Sequence, residues 1–248
     1  MSRTQHFKAL LTDELERWIV RAMPLIIRRS LRSGLHGVYT RGAWDALPRQ
    51  GFIIAANHHS WWDGYLAWLA QQRVAQPLSG MMGEAQLSRF RFFRRMGVFS
   101  HKEVREALRR LERGEVVFIF CEGRVRPSGQ VEAVEKGVAF LADRANVPVY
   151  PLALRVVMRG AQHPEAFLVL GHKLEPTSDH AALNKEVKGS LNDLLQKIER
   201  TLQAADPEAP PPGFEAWLRG PKSFHERMGW VARLWGEGSE EKREKEEN

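Results

Sequence analysis

The sequence predicts an α/β fold: a layered mixed sheet flanked by helices, with N-terminal amphipathic helices and a C-terminal Trp/Arg-rich extension. Three observations carry this prediction. Two short continuous apolar runs, Phe52-Ile53-Ile54-Ala55-Ala56 and Val116-Val117-Phe118-Ile119-Phe120, read as strands buried on both faces. Helical periodicity recurs between and after them. It is clearest over 181–203, through Leu191, Leu194, Leu195, Ile198 and Leu202. Strands alternating with helices over 248 residues fit one sizeable layered core.

Taken in order, the first element is helical over 3–32, with apolar positions at Phe7, Leu10, Leu11, Trp18, Ile19 and Ala22, then Leu25 and Ile26 after Pro24. A strand-like alternation follows near Gly37-Val38-Tyr39, then a turn near Pro48 and the buried strand 52–56. Residues 63–72 read as helix. Phe90, Phe92 and Phe93 are interleaved with Arg89, Arg91, Arg94 and Arg95 in the segment 85–96. A charged helix over 102–113 stops at Gly114 and leads into the strand 116–120. A helix over 132–145, strands over 147–156 and 167–170, and the helix 181–203 complete the domain. Asp206-Pro207-Glu208-Ala209-Pro210-Pro211-Pro212-Gly213 reads as a linker. The chain thus divides into an amphipathic membrane-interface segment (1–36), an α/β domain (37–205), the Pro-rich linker (206–213), an amphipathic Trp/Arg segment (214–236) and a disordered charged tail (237–248).

Charge narrows the partners. The net charge is +7, which favours an anionic partner such as phospholipid headgroups, nucleic acid or an acidic cofactor. Residues 3–41 alone hold eight Lys/Arg against three acids. Eight Trp against three Tyr point to apolar–aqueous boundaries. A basic helix bearing Trp either lies in a membrane interface or packs its apolar side on the domain with its basic face solvated. The same two readings apply to Phe214, Trp217, Leu218, Phe224, Trp230, Leu234 and Trp235 with their neighbouring Arg and Lys. No apolar stretch reaches the roughly 18–20 residues of a spanning helix. Asp13, Glu14, Glu16 and Arg17 break up the core a signal peptide would need. One cysteine, Cys121, excludes an intrachain disulfide. The expectation is a cytoplasmic protein, peripheral on the inner face of the cell membrane, with an anionic membrane surface and no nucleic acid as partner.

The chemistry concentrates in Asn57-His58-His59-Ser60-Trp61-Trp62-Asp63, directly after the strand 52–56. A histidine paired with a carboxylate makes a general base near neutral pH. Five residues on one continuous helix turn through about 500°, which would set His58 and Asp63 roughly 140° apart. They pair only if His58 lies in the strand-to-helix turn and Asp63 in the first helical turn. Asn57 or Ser60 is then placed to cap the helix, and helix N-terminal amides are placed to meet a developing oxyanion. His59 is a rival base. Cys121 reads as a small buried residue rather than a nucleophile. The histidines are too scattered for a metal site, and none is expected.

Further along, strand 116–120 ends in Phe120-Cys121-Glu122-Gly123-Arg124-Val125-Arg126, and Val147-Pro148-Val149-Tyr150-Pro151 comes later. With the heptad, in this order and spacing, these segments resemble the glycerolipid acyltransferase family, best known for lysophosphatidic acid acyltransferases. The resemblance covers about residues 37–175. The family's first motif, Asn-His-x-Ser-x-x-Asp, is matched in full. The third, Phe-Pro-Glu-Gly-Thr-Arg-Ser, is matched at Phe120, Glu122 and Gly123, and the fourth, Val-Pro-(Ile/Val)-x-Pro, at residues 147–151.

The resemblance implies that His58 takes the proton from an acceptor hydroxyl, with Asp63 supporting it. The resulting alkoxide attacks an acyl thioester on coenzyme A or acyl carrier protein. These donors are co-substrates, and no cofactor is implied. Asn57, Ser60, Glu122, Gly123, Arg124, Arg126 and Lys102 are the expected substrate-binding residues; Pro148 and Pro151 are structural. The chain departs from the family where phosphate is bound. In the second motif, Gly-x-x-Phe-x-x-Arg, an ungapped match from Gly97 puts Glu103 at the arginine, and Lys102 or Arg105 substitutes only after a short deletion. In the third, Cys121, Arg124 and Val125 replace Pro, Thr and Arg, leaving Arg124 and Arg126 to flank the phosphate position. The implied acceptor is a lysophospholipid or glycerol-phosphate type. A non-phosphate acceptor, such as a glycolipid or glycosylated terpenoid, is the alternative. A non-catalytic module for anionic lipid or nucleic acid is the rival of a different class.

Overall fold

The structure, a computed structural model, describes residues 3–224 and 226–228, with side chains from Asp13 onward. Trp230, Leu234 and Trp235 of the expected Trp/Arg segment, and the expected tail 237–248, lie outside the described residues.

Eight strands form one sheet: β1 (Gly37–Arg41), β2 (Phe52–Ala56), β3 (Leu78–Met82), β4 (Val98–Ser100), β5 (Val116–Phe120), β6 (Val149–Val157), β7 (Glu165–Leu170) and β8 (Glu215–Arg219). Their order is β4-β3-β5-β2-β6-β7-β1-β8. The run from β4 to β6 is parallel throughout; β7 is antiparallel to β6, and β8 to β1. The sheet is mixed and covered on both faces by six helices: α1 (Arg3–Gly34), α2 (Asp63–Ala70), α3 (Glu84–Arg89), α4 (Val104–Glu112), α5 (Gly137–Ala145) and α6 (His180–Ala204).

Strand alternation sorts the core into two layers. Ile53, Ala55, Val117 and Ile119 point to one side, against Leu111 of α4, Leu141 of α5 and Val187, Leu191 and Leu195 of α6. Phe52, Ile54, Ala56, Val116 and Phe118 point to the other, against Met23, Ile27 and Leu31 of α1 and Leu66 and Leu69 of α2. Because both faces are buried, β2 and β5 lack polar alternation, which is why they read as plain apolar runs.

The register places the site. Ala56 pairs with Phe120, so β2 and β5 end side by side, and the loops that follow leave the same edge. In parallel sheets that carboxyl edge is where ligands bind. The fourth motif lies lower: Pro148 offers its carbonyl to the Ile53 amide at 3.0 Å, and Pro151 sits opposite Ala55 within the sheet.

Several expected boundaries move. The helix expected over 132–145 begins at Gly137. The preceding stretch is tied elsewhere, with the Glu135 amide donating to the Cys121 carbonyl at 2.8 Å and the Val131 amide to Asn192 Oδ1 at 2.7 Å. The helix expected over 102–113 begins at Val104, which leaves Lys102 in the turn after β4. The strands β3 and β4 and the short α3 have no counterpart in the sequence reading. Leu78-Ser79-Gly80-Met81-Met82 lacks both a clean alternation and an apolar run.

At the N-terminus a single helix runs through Pro24, which leaves the Val20 carbonyl without its usual donor. Part of the expected C-terminal segment is β8, an edge strand on β1. There Trp217 packs edge-on to Trp44 at 5.8 Å, and the Arg73 guanidinium lies over the Trp217 ring. This part therefore docks on the domain, supplying the hydrogen bonds that the free edge of β1 requires. The Pro-rich segment before it is also fastened: Arg159 Nη2 donates to the carbonyls of Asp206 at 2.7 Å and Ala209 at 3.3 Å.

Candidate active site

The loop after β2 is built by its own polar groups. Asn57 is 3% exposed, and its amide pairs twice with the backbone of Leu154 on β6, donating to the carbonyl at 2.9 Å and accepting the N–H at 2.7 Å. This corrects two expectations. Asn57 neither caps α2 nor has an amide free for substrate; it locks the end of β2 to its neighbour strand. The chain then turns through His58, His59 and Ser60 into α2, whose first residue is Asp63.

His58 and Asp63 meet as the strand-to-helix placement requires. His58 Nδ1 lies 2.8 Å from Asp63 Oδ2. The same oxygen accepts the backbone N–H of His59 at 2.7 Å and of Ser60 at 2.8 Å. Asp63 is fully buried at 0% exposure, whereas the His58 side chain is 20% exposed. With a carboxylate at Nδ1, the neutral imidazole carries its proton there and keeps the Nε2 lone pair free. Among the described residues nothing bonds to Nε2. Ser60 does not cap the helix at its usual position; its Oγ accepts the Trp62 amide at 3.2 Å within the turn.

The loop after β5 closes over His58 from the other side. Phe120 stacks on the imidazole with ring centroids 4.1 Å apart. The chain then turns sharply, the Gly123 amide donating to the Phe120 carbonyl at 3.0 Å and Gly123 adopting φ +67°, where a side chain would be strained. The turn sends Glu122 back toward β2, where Oε2 accepts the His58 amide at 2.9 Å. The Arg126 amide donates to the His58 carbonyl at 2.8 Å. Burial raises the Glu122 carboxyl above its ordinary value, opposed by the His58 amide and the Arg126 and His58 charges. Burial likewise pushes the Cys121 thiol up, so it is held as an un-ionised, fully buried group.

The amides of His58, His59 and Ser60 are thus all committed to Glu122 or Asp63. These three amides, which precede α2, are not available to an oxyanion.

His59, the rival base, has its side chain 5% exposed, and its Nε2 accepts the Val156 amide at 3.0 Å. That bond occupies the lone pair a base would use. Burial lowers its pKa, only partly opposed by Asp63. The folded state therefore binds fewer protons than the unfolded chain as pH falls below the ordinary value of 6.5. Stability should fall with pH through that range and be regained above it. We expect the difference in denaturation midpoint between pH 7.5 and pH 5.5 to shrink in His59→Gln relative to the parent chain. An unchanged difference would mean that His59 titrates freely.

Of the remaining expected residues, Arg124 is exposed and Arg126 half-buried beside Glu122, while Val125 is 56% exposed. Lys102 lies on the outer edge of the sheet, lining an open groove of about 540 Å³ with Arg94, Arg105 and Arg109. Glu103 carries no free charge there, because Arg94 pairs with it at 2.9 Å and the Ser100 amide donates to it at 2.7 Å. Among the described residues no group of three or more His, Cys, Asp and Glu could hold a metal ion.

Sequence reasoning missed Phe120 as a ring support and Arg155 as a loop anchor. Arg155 is 3% exposed in β6 and binds Ser128 Oγ, the Gly129 carbonyl and Glu199. An arginine inside the apolar run 149–157 was the available signal, since a charge there must be paired.

Comparison with known proteins agrees with this arrangement. Residues 38–155 match the family model "Acyltransferase". Among solved structures, the chain is similar to the 1-acyl-sn-glycerophosphate (LPA) acyltransferase PlsC from Thermotoga maritima. The TM-score is 0.55 and the identity 20%, covering 80% of this chain and 84% of that one. At that identity the likeness is one of fold. The pilus retraction motor PilT with bound ADP aligns at 12% identity over 63% of this chain and 55% of that one, and its TM-score of 0.28 carries no argument. The matched segment, a little under half of the chain, contains both loops that meet at His58, and it is this segment that is similar to the acyltransferase family.

Proposed function

We propose that the protein transfers a fatty acyl group from acyl-CoA or acyl carrier protein to a hydroxyl of a lipid-like acceptor, with His58 as general base. The observation that carries this reading is the 2.8 Å contact of His58 Nδ1 with buried Asp63, which leaves Nε2 open. Nε2 removes the acceptor's hydroxyl proton as its oxygen attacks the thioester carbonyl carbon. The tetrahedral intermediate collapses with loss of the C–S bond, and the imidazolium returns the proton to the departing thiolate. Asp63 stabilises the imidazolium between the two proton transfers. No covalent acyl-enzyme is needed.

The acceptor is of the lysophospholipid or glycerol-phosphate type, as for the LPA acyltransferase whose fold this chain shares. Arg126 next to the His58 loop, with Arg124, supplies the cations for its phosphate. One observation favours the neutral alternative, a glycolipid or glycosylated terpenoid: exposed Val125 stands where the family carries a phosphate-binding arginine. The deciding experiment incubates the purified full chain with one long-chain acyl-CoA and a panel of lysophospholipid, glycerol-phosphate and neutral glycolipid acceptors. Acceptor-dependent thiol release is the readout. Release only with neutral acceptors overturns the phosphate reading. Release with no acceptor in the panel leaves the binding-module reading standing.

The work is done at a membrane surface, on the inner face of the cell membrane. Among the described residues no helix is long and apolar enough to cross a membrane. However, α1 has two apolar faces. Met23, Ile27 and Leu31 are buried on the domain, while Leu15, Trp18, Leu25 and Ile26 are 60%, 65%, 73% and 45% exposed. By helical geometry, Trp18 and Leu25 stand about 170° from the mean direction of the buried three. The outward face carries the basic residues Arg21, Arg28 and Arg29 beside it, which suits an anionic interface. Trp18→Glu combined with Leu25→Glu should lower co-sedimentation with anionic vesicles by about tenfold or more, since each buried large apolar side chain contributes about 1.5–3 kcal/mol. Undiminished sedimentation would remove α1 from the contact.

A further inference from the structure

The turn after β5 touches His58 at three points: Phe120 on the ring face, Glu122 at the peptide N–H and the Arg126 amide at the carbonyl. Glu122 is only 7% exposed, and the bond it makes is to backbone rather than into open space. Three consecutive amides therefore end on two carboxylates, His58 on Glu122 and His59 and Ser60 on Asp63. A buried amide deprived of its acceptor is costly, and a peptide free to rotate would swing the imidazole that it carries.

We propose that Glu122 is a positioning residue for His58, holding the peptide from which the imidazole springs so that Nε2 keeps one aim, and is not a ligand of the acceptor. Asp63 fixes the ring through Nδ1, Phe120 supports its face, and Glu122 fixes its root. The turn that bears Arg124 and Arg126 is thereby joined to the base through the His58 peptide. This inference rests on His58 being the base.

The task asked of Glu122 is an oxygen at the right distance, a demand that glutamine meets and a shorter acid does not. Glu122→Gln should retain kcat within about threefold, because its carbonyl oxygen can accept the same N–H. Glu122→Ala and Glu122→Asp should lower kcat by about 10- to 100-fold, the scale of a small misplacement of a reacting group, with the acceptor KM held within about twofold. A rise in acceptor KM at unchanged kcat in the Ala variant would make Glu122 a binding residue and overturn the inference. If the Ala variant does not fold, the other pair decides: an active Gln with an impaired Asp supports positioning, and an active Asp with an impaired Gln overturns it. His58→Ala is assayed alongside. Full activity in that variant sinks the base assignment, whereas an inactive His58→Ala beside a KM effect at Glu122 sinks this inference alone.

Discussion

Replacing His58 with alanine is expected to lower kcat by about 10²–10⁴-fold, the range of a lost general base, and to leave the fold intact. The imidazole is partly exposed and contributes one stacking contact and one hydrogen bond, so its removal opens no deep cavity. Asp63 Oδ2 still accepts two backbone amides in its absence, so the loop remains tied. His59 cannot take over, because its Nε2 is bonded to the Val156 amide. The measurements are acceptor-dependent thiol release from acyl-CoA and a denaturation midpoint on the same preparation. Activity within about threefold of the parent, with the midpoint unchanged, would remove His58 from the proton-transfer role.

Asp63→Asn should lower kcat by about a hundredfold or more at nearly constant acceptor KM, because it withdraws the charge that stabilises the imidazolium. The geometry makes this an informative substitution. All three of its hydrogen bonds converge on Oδ2, so an asparagine carbonyl oxygen in that place can keep every one of them. What it loses is the charge. The amide nitrogen would then occupy the place of Oδ1, which is buried with no hydrogen-bond partner among the described residues. That burial should cost about 1–3 kcal/mol, visible in chemical denaturation. Asp63→Ala, by contrast, strands the His59 and Ser60 amides and should destabilise more than Asn does. A KM effect with unchanged kcat in Asp63→Asn would recast Asp63 as a substrate ligand.

Parts of this arrangement were legible from residues alone because their signals are local. β2 and β5 announce themselves as apolar runs, and α6 as a long period with Val187, Leu191, Leu195 and Ile198 on one buried face. Helical rotation forbids the His58–Asp63 pairing on a continuous helix and allows it across a strand-to-helix turn, the placement the structure adopts. β3 and β4 were illegible because a weakly patterned strand is made by its neighbours. Gly80 and Met81 become strand by pairing with Val98 and Phe99, not by their own preference. The start of α5 was misplaced because Asn192, far along the chain, claims the Val131 amide.

The division is sharpest at the site. Residue identity and short spacing alone marked His58 and Asp63 as able to pair, and fixed the order of the motifs and the cationic balance. Only the tertiary structure decided what the supporting residues do. Asn57 and Glu122 carry groups that could serve a cap, a substrate or the backbone. The choice was made by which strands lie beside β2: β6 offers the Leu154 peptide to Asn57, and the end of β5 brings Glu122 to the His58 peptide. Strand order and register are properties of the whole packed sheet. A hydrogen bond spanning 64 or 97 residues leaves no trace in local pattern until that sheet has formed.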